Sequence, residues 1–426
     1  MRWPFWDGFA TRAAKFSRAA KFSREAKFSR EERRAAAVAA TAHAVHDGYT
    51  DLIYIMLPLW QAQFGLPYAA LGLLRGAYVG AMASLQIPAA LLSERVGAAG
   101  VLALGTCLAG LGYCLAGLSA GFATLLGALI IGGLGASAQH PIASSLVARV
   151  FAGPRSRKAL GTYNFCGDLG KMTLPATLSL MLLAMHWRPA LAILGGLGVA
   201  MAALILKFTP RSGRAANTAV QAAAADDARS RPLPSSPPRR GFALLLAIGI
   251  LDSSTRMGFL LFLPFVLRAK GATLQDVGLA MTLVFAGGAA GKLACTFVGA
   301  RIGTIATVWL TESLTAVGIL VLLPLPLVPA LLLLPLIGVA LNGTSSVLYG
   351  SVPDLVVADW RTRALSIFYT GTIGAGALAP VVFGRVADAL SLRSALLVVA
   401  VVALLTLPLA ALLRPALART YGPEAA

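Results

Sequence analysis

Charge is scarce in this sequence. Asp, Glu, Lys and Arg make up 12% of its 426 residues, hydrophobic residues make up 58%, and mean hydropathy is +0.77. A water-exposed globular domain carries about twice that share of charge, so a soluble fold is excluded. Acidic residues are scarcer still, 17 against 36 Lys and Arg. The four cysteines, Cys107, Cys114, Cys166 and Cys295, all fall in apolar runs. On one helix Cys107 and Cys114 are about 10 Å apart along the axis, beyond disulfide reach, so inert thiols are expected. No Gly-x-x-x-x-Gly-Lys-Ser/Thr phosphate loop is present. His-Glu-x-x-His is also missing, and residues 165–168 read Phe-Cys-Gly-Asp, without the first glycine of Gly-x-Gly-Asp. An enzyme is not expected, nor a cofactor. The first 36 residues lack the apolar stretch of a cleavable signal peptide, and weak period-2 alternation argues against a β-barrel.

What is present is a series of apolar runs of about 20 residues, the length that crosses a bilayer as a helix. They predict an all-α membrane protein with twelve spans, near 37–62, 68–93, 99–118, 122–149, 159–184, 189–206, 242–267, 274–299, 304–325, 328–350, 364–388 and 394–413. Placing the N-terminus in the cytoplasm puts nearly every loop Lys and Arg on that side, leaving Arg188, Arg268, Lys270 and Arg393 opposite. Both termini are therefore expected inside a bacterial-type inner membrane. The net charge of +19 reads as topology and attraction to anionic headgroups, not as a nucleic-acid surface.

Residues 1–36 form a basic arm with three copies of a six-residue repeat, AAKFSR, AAKFSR and EAKFSR. Six residues turn 600° on a helix, so Phe16, Phe22 and Phe28 cannot share a face; a disordered arm or a lipid-touching tether follows. Residues 208–241, rich in Pro, Ser, Ala and Arg, read as a flexible cytoplasmic linker between bundles at 37–207 and 242–414, with a tail at 415–426. The bundles repeat in register. At an offset of 205, Asp47 matches Asp252, Ala159-Leu160 matches Ala364-Leu365, Pro175 matches Pro380 and Arg188 matches Arg393. At 206, Gly65, Gly72, Arg95 and Gly97 match Gly271, Gly278, Arg301 and Gly303. A duplicated six-helix unit follows, its copies related by a pseudo-two-fold axis along the membrane normal.

With this organisation the chain resembles the major facilitator superfamily over about residues 37–415. The family's loop after the second helix, Gly-x-x-x-Asp-Arg-x-Gly-Arg-Lys, is matched in part by Glu94, Arg95 and Gly97, and in the second copy by Gly299, Arg301 and Gly303; these form the expected gating loops. More narrowly, His46-Asp47-Gly48-Tyr49 followed by Leu57-Pro58-Leu59, and His140-Pro141-Ile142-Ala143-Ser144-Ser145, resemble fosmidomycin-resistance-like exporters. Asp168 and Lys171 depart from that branch's pattern. The resemblance implies a monomer.

The stretch AHAVHDGYTDLIYIMLPLW, residues 42–60, carries the densest polar signal. His43, Asp47, Asp51, Tyr54 and Pro58 recur every three or four residues and share one helix face, flanked by His46 and Thr50. A charge at lipid depth costs about 2.5–3.5 kcal/mol, so the stripe is expected to face the bundle interior. The repeat register aligns Asp51 with Arg256, predicting a pair across a central cavity. Asp168 and Lys171, three apart, form either a local pair or a proton or substrate site. Arg75 and Lys292 are further intramembrane cations, Lys292 aligning with Gln86. Glu312 is expected at the periphery. His140 is expected as a packing residue or a ligand.

Buried carboxylates are the chemistry a proton-coupled carrier needs. The expected function is secondary transport, as a proton-coupled exporter of small organic compounds by alternating access. The substrate and proton residues would be His46, Asp47, Asp51, Arg75, Asp168, Lys171, Asp252, Arg256 and Lys292. The alternative is a carrier of a divalent metal ion or chelate, with His43, His46, Asp47 and His140 as ligands.

Overall fold

A computed structural model describes residues 30–150, 154–209, 240–357 and 360–421. These contain only helices: α1 (Arg30–Phe64), α2 (Tyr68–Ser84), α3 (Gln86–Val96), α4 (Ala98–Leu118), α5 (Phe122–Ala136), α6 (Gln139–Val150), α7 (Pro154–Ala184), α8 (Trp187–Phe208), α9 (Arg240–Ala269), α10 (Leu274–Ile302), α11 (Thr304–Leu322), α12 (Leu327–Ser351), a short 3₁₀ turn (Val352–Asp354), α13 (Arg361–Ala389) and α14 (Leu392–Tyr421). Among the described residues, nine helical stretches are long and apolar enough to cross a membrane, and α2 with α3, bent by 43°, makes a tenth. The other two expected spans are α1 and α7. At 35 and 31 residues both exceed the length needed; their polar stripes lower their hydropathy.

Two expected single spans are broken, and proline explains both. Pro88 has no N–H for the carbonyl of Ser84, and α2 ends there; Pro141 has none for Ser137, where α5 ends. The expected ends also shift. α1 begins at Arg30 rather than 37, because REERRAAA is made of strong helix formers, and α14 continues to Tyr421. The six-residue repeat, apart from its last residue Arg30, and nearly all of the linker lie outside the described residues.

The helices pair in the same pattern in each half. In the first, α1 packs on α7, α2 on α5 and α4 on α8; in the second, α9 packs on α13, α10 on α12 and α11 on α14. The halves meet along two seams, α2 with α13 and α7 with α10, while α1 and α9 touch at the centre. The backbone carries the repeat as well. Among the described residues positive φ occurs only at Gly65, Gly97, Gly271 and Gly303, two pairs 206 residues apart, and each glycine lies between consecutive helices where a side chain would strain the turn. Leu104, Leu111 and Leu118 of α4, Leu310 and Leu314 of α11, and Val401 and Leu412 of α14 stand exposed on the outer helices, as a lipid-facing surface requires.

Three of the four basic residues expected on the far side, away from the linker, have a structural use. Arg188 donates to the carbonyls of Gly117 and Ser119 (3.0 and 2.9 Å), Arg268 to Ala272 (2.7 Å), and Lys270 to Leu323 and Leu325 (2.8 and 2.6 Å). They satisfy carbonyls left over at helix ends, where cations are favoured. Partial burial holds the Lys270 ammonium below its ordinary pKa.

Candidate functional site

α1 positions the first set of charges. Its contacts with α7, α6 and α9 enclose it, so the polar stripe is buried: His43, His46, Asp47 and Asp51 are each about 5% exposed and Tyr54 is fully covered. The apolar side, Leu52, Ile53, Ile55 and Met56, is equally covered, so α1 is a central helix rather than one with a lipid face.

Asp47 is the hub. One carboxylate oxygen lies 3.3 Å from His43 Nε2 and 3.8 Å from His46 Nε2, and the other lies 3.3 Å from Lys171 Nζ of α7. One turn further along, Asp51 faces Arg75 of α2 at 3.6 Å, and that guanidinium sits over the Tyr54 ring, 5.0 Å from its centroid. Arg75 is 2% exposed, and its Nε and Nη1 have no hydrogen-bond partner. In the second half, Arg256 donates to Asp252, one turn earlier on α9, at 2.5 Å. Asp168 of α7 accepts from Lys292 of α10 at 2.5 Å, which makes it an ion pair between halves.

These groups surround water-accessible space. A cavity of about 320 Å³ is lined by Asp47, Arg75, His140 and Lys171 from one half and by Asp252, Arg256, Tyr349 and Tyr369 from the other. A deeper one of about 110 Å³ is lined by Asp51, Asp168, Lys171, Arg256, Lys292 and Asn342. The larger lies within the size range of small-molecule sites. Its lining comes from the halves of α1, α9, α12 and α13 nearest the linker end. Beyond it, Leu52–Leu57 of α1 and Phe259–Leu263 of α9 are buried and seal the far side. At the narrowing, the Tyr54 hydroxyl donates across the halves to Met257 Sδ at 3.5 Å.

Every expected substrate or proton residue except His46 lines one of the two cavities; His46 lies beside Asp47 and His140. The pairing differs from expectation. Asp51 and Arg256 are not partners, because each has a nearer one, Arg75 and Asp252. Lys171 is closer to Asp47 than to Asp168, which lies 4.0 Å away. His140 is not an isolated packing residue: its Nε2 is 3.3 Å from that of His46 and its ring stands edge-on to His43. The donor atoms of His43, Asp47 and His140 lie within 4.8 Å of one another. Glu312 is not peripheral. It is 2% exposed, and its carboxyl neighbours Asp252 and Thr344, with Arg256 within electrostatic range. One signal could have found it, since it is the only charge between Arg301 and Asp354. The residues expected to gate, Glu94, Arg95 and Arg301, are exposed at helix ends, with Gly97 in the break between α3 and α4, and none lines either cavity.

A model of the Major Facilitator Superfamily matches residues 39–251 and again 242–425, nearly the whole of both halves. The chain belongs to the major facilitator superfamily. Among solved structures it is similar to a bacterial homologue of the human lysosomal transporter Spinster. In the inward-facing, unoccupied conformation the TM-score is 0.74 at 15% identity, covering 92% of this chain and 99% of that one. In the occupied conformation the score and identity are the same, with 94% and 99% covered. A mutant of the nucleoside transporter NupG gives 0.74 at 13% identity, with 90% and 99% covered. At such identities the likeness is one of fold. No curated protein sequence matches. The superfamily match makes this a multi-pass membrane protein with a transporter fold, and the narrower likeness to fosmidomycin-resistance-like exporters rests on the two sequence motifs alone.

Proposed function

We propose that this protein is a proton-coupled secondary transporter that exports small organic compounds by alternating access, working as a monomer in a bacterial-type inner membrane with both termini in the cytoplasm. One observation supports the reading most: acidic and basic side chains from both halves converge on one cavity that is sealed at its far side. With that topology the arrangement is inward-facing, as are the similar Spinster-homologue structures. The mixed lining suits a small compound with both apolar and polar surface, held by Tyr349, Tyr369 and Met257 against the charges.

Protons have two candidate stations. Asp51 faces Arg75 at 3.6 Å and lines the deeper cavity beside Lys171 and Lys292, so substrate binding or cavity closure would change its surroundings directly. Asp252 and Glu312 lie carboxyl to carboxyl beside the single guanidinium of Arg256. Two carboxyls that share one guanidinium form a single coupled site for proton exchange. Rocking of the halves about the α1–α9 contact would expose these groups to one side and then the other.

The test is flux through reconstituted protein under an imposed proton gradient, screened over small organic compounds. Wild type is expected to respond to the gradient, and Asp51→Asn and Glu312→Gln to lose the response while retaining substrate exchange. Flux indifferent to the gradient removes the coupling. Variants with unaltered pH dependence remove these two stations.

A further inference from the structure

We propose that His43, Asp47 and His140, with His46 as a fourth donor, form a binding site for a divalent transition-metal ion in the cavity wall. The argument begins with a tautomer. His43 Nδ1 lies 2.8 Å from the backbone carbonyl of Tyr163. Only an N–H makes that contact, so in the neutral ring the proton is on Nδ1 and Nε2 is a bare lone pair. Nε2 is buried without a hydrogen-bond partner and lies 3.3 Å from an oxygen of Asp47. A lone pair against a carboxylate is repulsive, and a cation between them removes the repulsion. An Nδ1–H held by a carbonyl is also the usual support for a histidine that ligates through Nε2.

The other donors converge on the same point. His140 comes from α6, which packs on α1. Its Nε2 and that of His46 face each other at 3.3 Å, so one must be protonated or both must share a metal. A tetrahedral ion with bonds of about 2.0–2.1 Å holds its ligands roughly 3.4 Å apart. The triad spans at most 4.8 Å, so small side-chain rotations close it. Two or three imidazoles with one carboxylate suit the zinc class of ions. The cation in contact with the site is Lys171, on the other oxygen of Asp47. It has a second acid within reach, Asp168 at 4.0 Å, so an arriving ion would pass Lys171 to Asp168 rather than strand it. Asp168 also holds Lys292 of the other half, which links the metal site to the α7–α10 seam. The site does not depend on proton coupling.

The experiment uses the purified full-length protein, stripped with chelator and titrated with Zn²⁺ alone by calorimetry, then with Co²⁺ by visible absorption. One ion per chain is expected, with the intense Co²⁺ bands of four-coordinate geometry. A His43→Gln/His140→Gln double variant should bind at least tenfold more weakly, and Lys171→Met should bind more tightly because its competing ammonium is gone. The proposal is overturned by an absence of saturable binding. It is equally overturned by a six-coordinate Co²⁺ spectrum, or by affinities unchanged in both variants. The Lys171→Met and Co²⁺ measurements remain decisive even if the double variant does not fold.

Discussion

The two seams between the halves are equivalent by the repeat, yet they are built from different chemistry. Along α2 and α13 the contact is backbone on backbone: Gly72 lies against the Pro380 carbonyl and Gly76 against that of Ala377. Along α7 and α10, Gly278, the counterpart of Gly72, lies against Ser179. Its neighbours there are polar: Gln275 donates to the Ser179 carbonyl at 2.9 Å and Thr282 to that of Met172 at 3.0 Å. The charges sit at opposite ends. The α7–α10 seam ends in Asp168–Lys292 beside the cavity, where the other seam has Ile373 and Gln86 at the matching positions. The α2–α13 seam has its acid, Asp388, at the far end, where the other has Leu183. Close approach of small residues holds membrane helices together, and duplication kept that feature in both seams. The charges are not symmetric, so a change of charge beside the cavity falls on the α7–α10 ion pair and has no counterpart at the matching positions of the other seam.

Filling the dry seam should have the largest effect. A side chain at Gly72 would run into the Pro380 carbonyl, a backbone atom that cannot swing aside, so Gly72→Val is expected to cost about 3 kcal/mol, the upper part of the range for overpacking. Gly80, two turns along the same helix, has nothing within 4 Å of an added carbon, and Gly80→Val should stay within about 0.5 kcal/mol. Thermal unfolding of the two purified variants compares them directly; equal melting would mean that α2 and α13 are not tightly apposed. Next in size is the ion pair of the wet seam. Asp168→Asn and Lys292→Met should each lower transport about tenfold, roughly 1.4 kcal/mol, with partial recovery when the two charges are exchanged. Unimpaired flux in both single variants would reduce the pair to packing, leaving the seams alike.

The sequence was most legible where physics left few options. Twenty-residue apolar runs have to span, and acids and bases at lipid depth have to face inward, so the spans and most of the cavity charges could be named in advance. Partners were not legible. The repeat register aligned Asp51 with Arg256, but register maps equivalent positions, not distances, and Arg256 has Asp252 one turn away on its own helix. Glu312 was misplaced because a helix that is mostly outside can still turn one side chain inward. The breaks near Leu85 and Ser137 were written in Pro88 and Pro141 but masked by hydropathy, which counts proline as one more residue in an apolar run. The convergence of His43, His46 and His140 was not legible either, because His140 lies on a different helix and spacing along the chain does not say which helices touch.

The smallest predicted effect sharpens the comparison at its far end. The carboxylate of Asp388 accepts from the backbone N–H of Tyr68 at 2.7 Å and of Ala69 at 2.9 Å. It therefore caps the N-terminus of α2 from the opposite half of the molecule, satisfying two donors that a helix start otherwise leaves free and setting a negative charge against the positive end of the helix dipole. Capping interactions are worth about 1 kcal/mol, and this one exists only while the far side is closed. Asp388→Ala should therefore raise the far-side-open population about fivefold. Asp388→Asn, which keeps one acceptor, should have a smaller effect. The equivalent position of the other seam, Leu183, is 68% exposed and apolar, so Leu183→Ala should leave the population alone. Distances between spin labels at Gln63 and Ser391, in a background without the four native cysteines, read the opening. If Asp388→Ala and Leu183→Ala shift it equally, the cap is incidental and the far side is held by the glycine contacts alone.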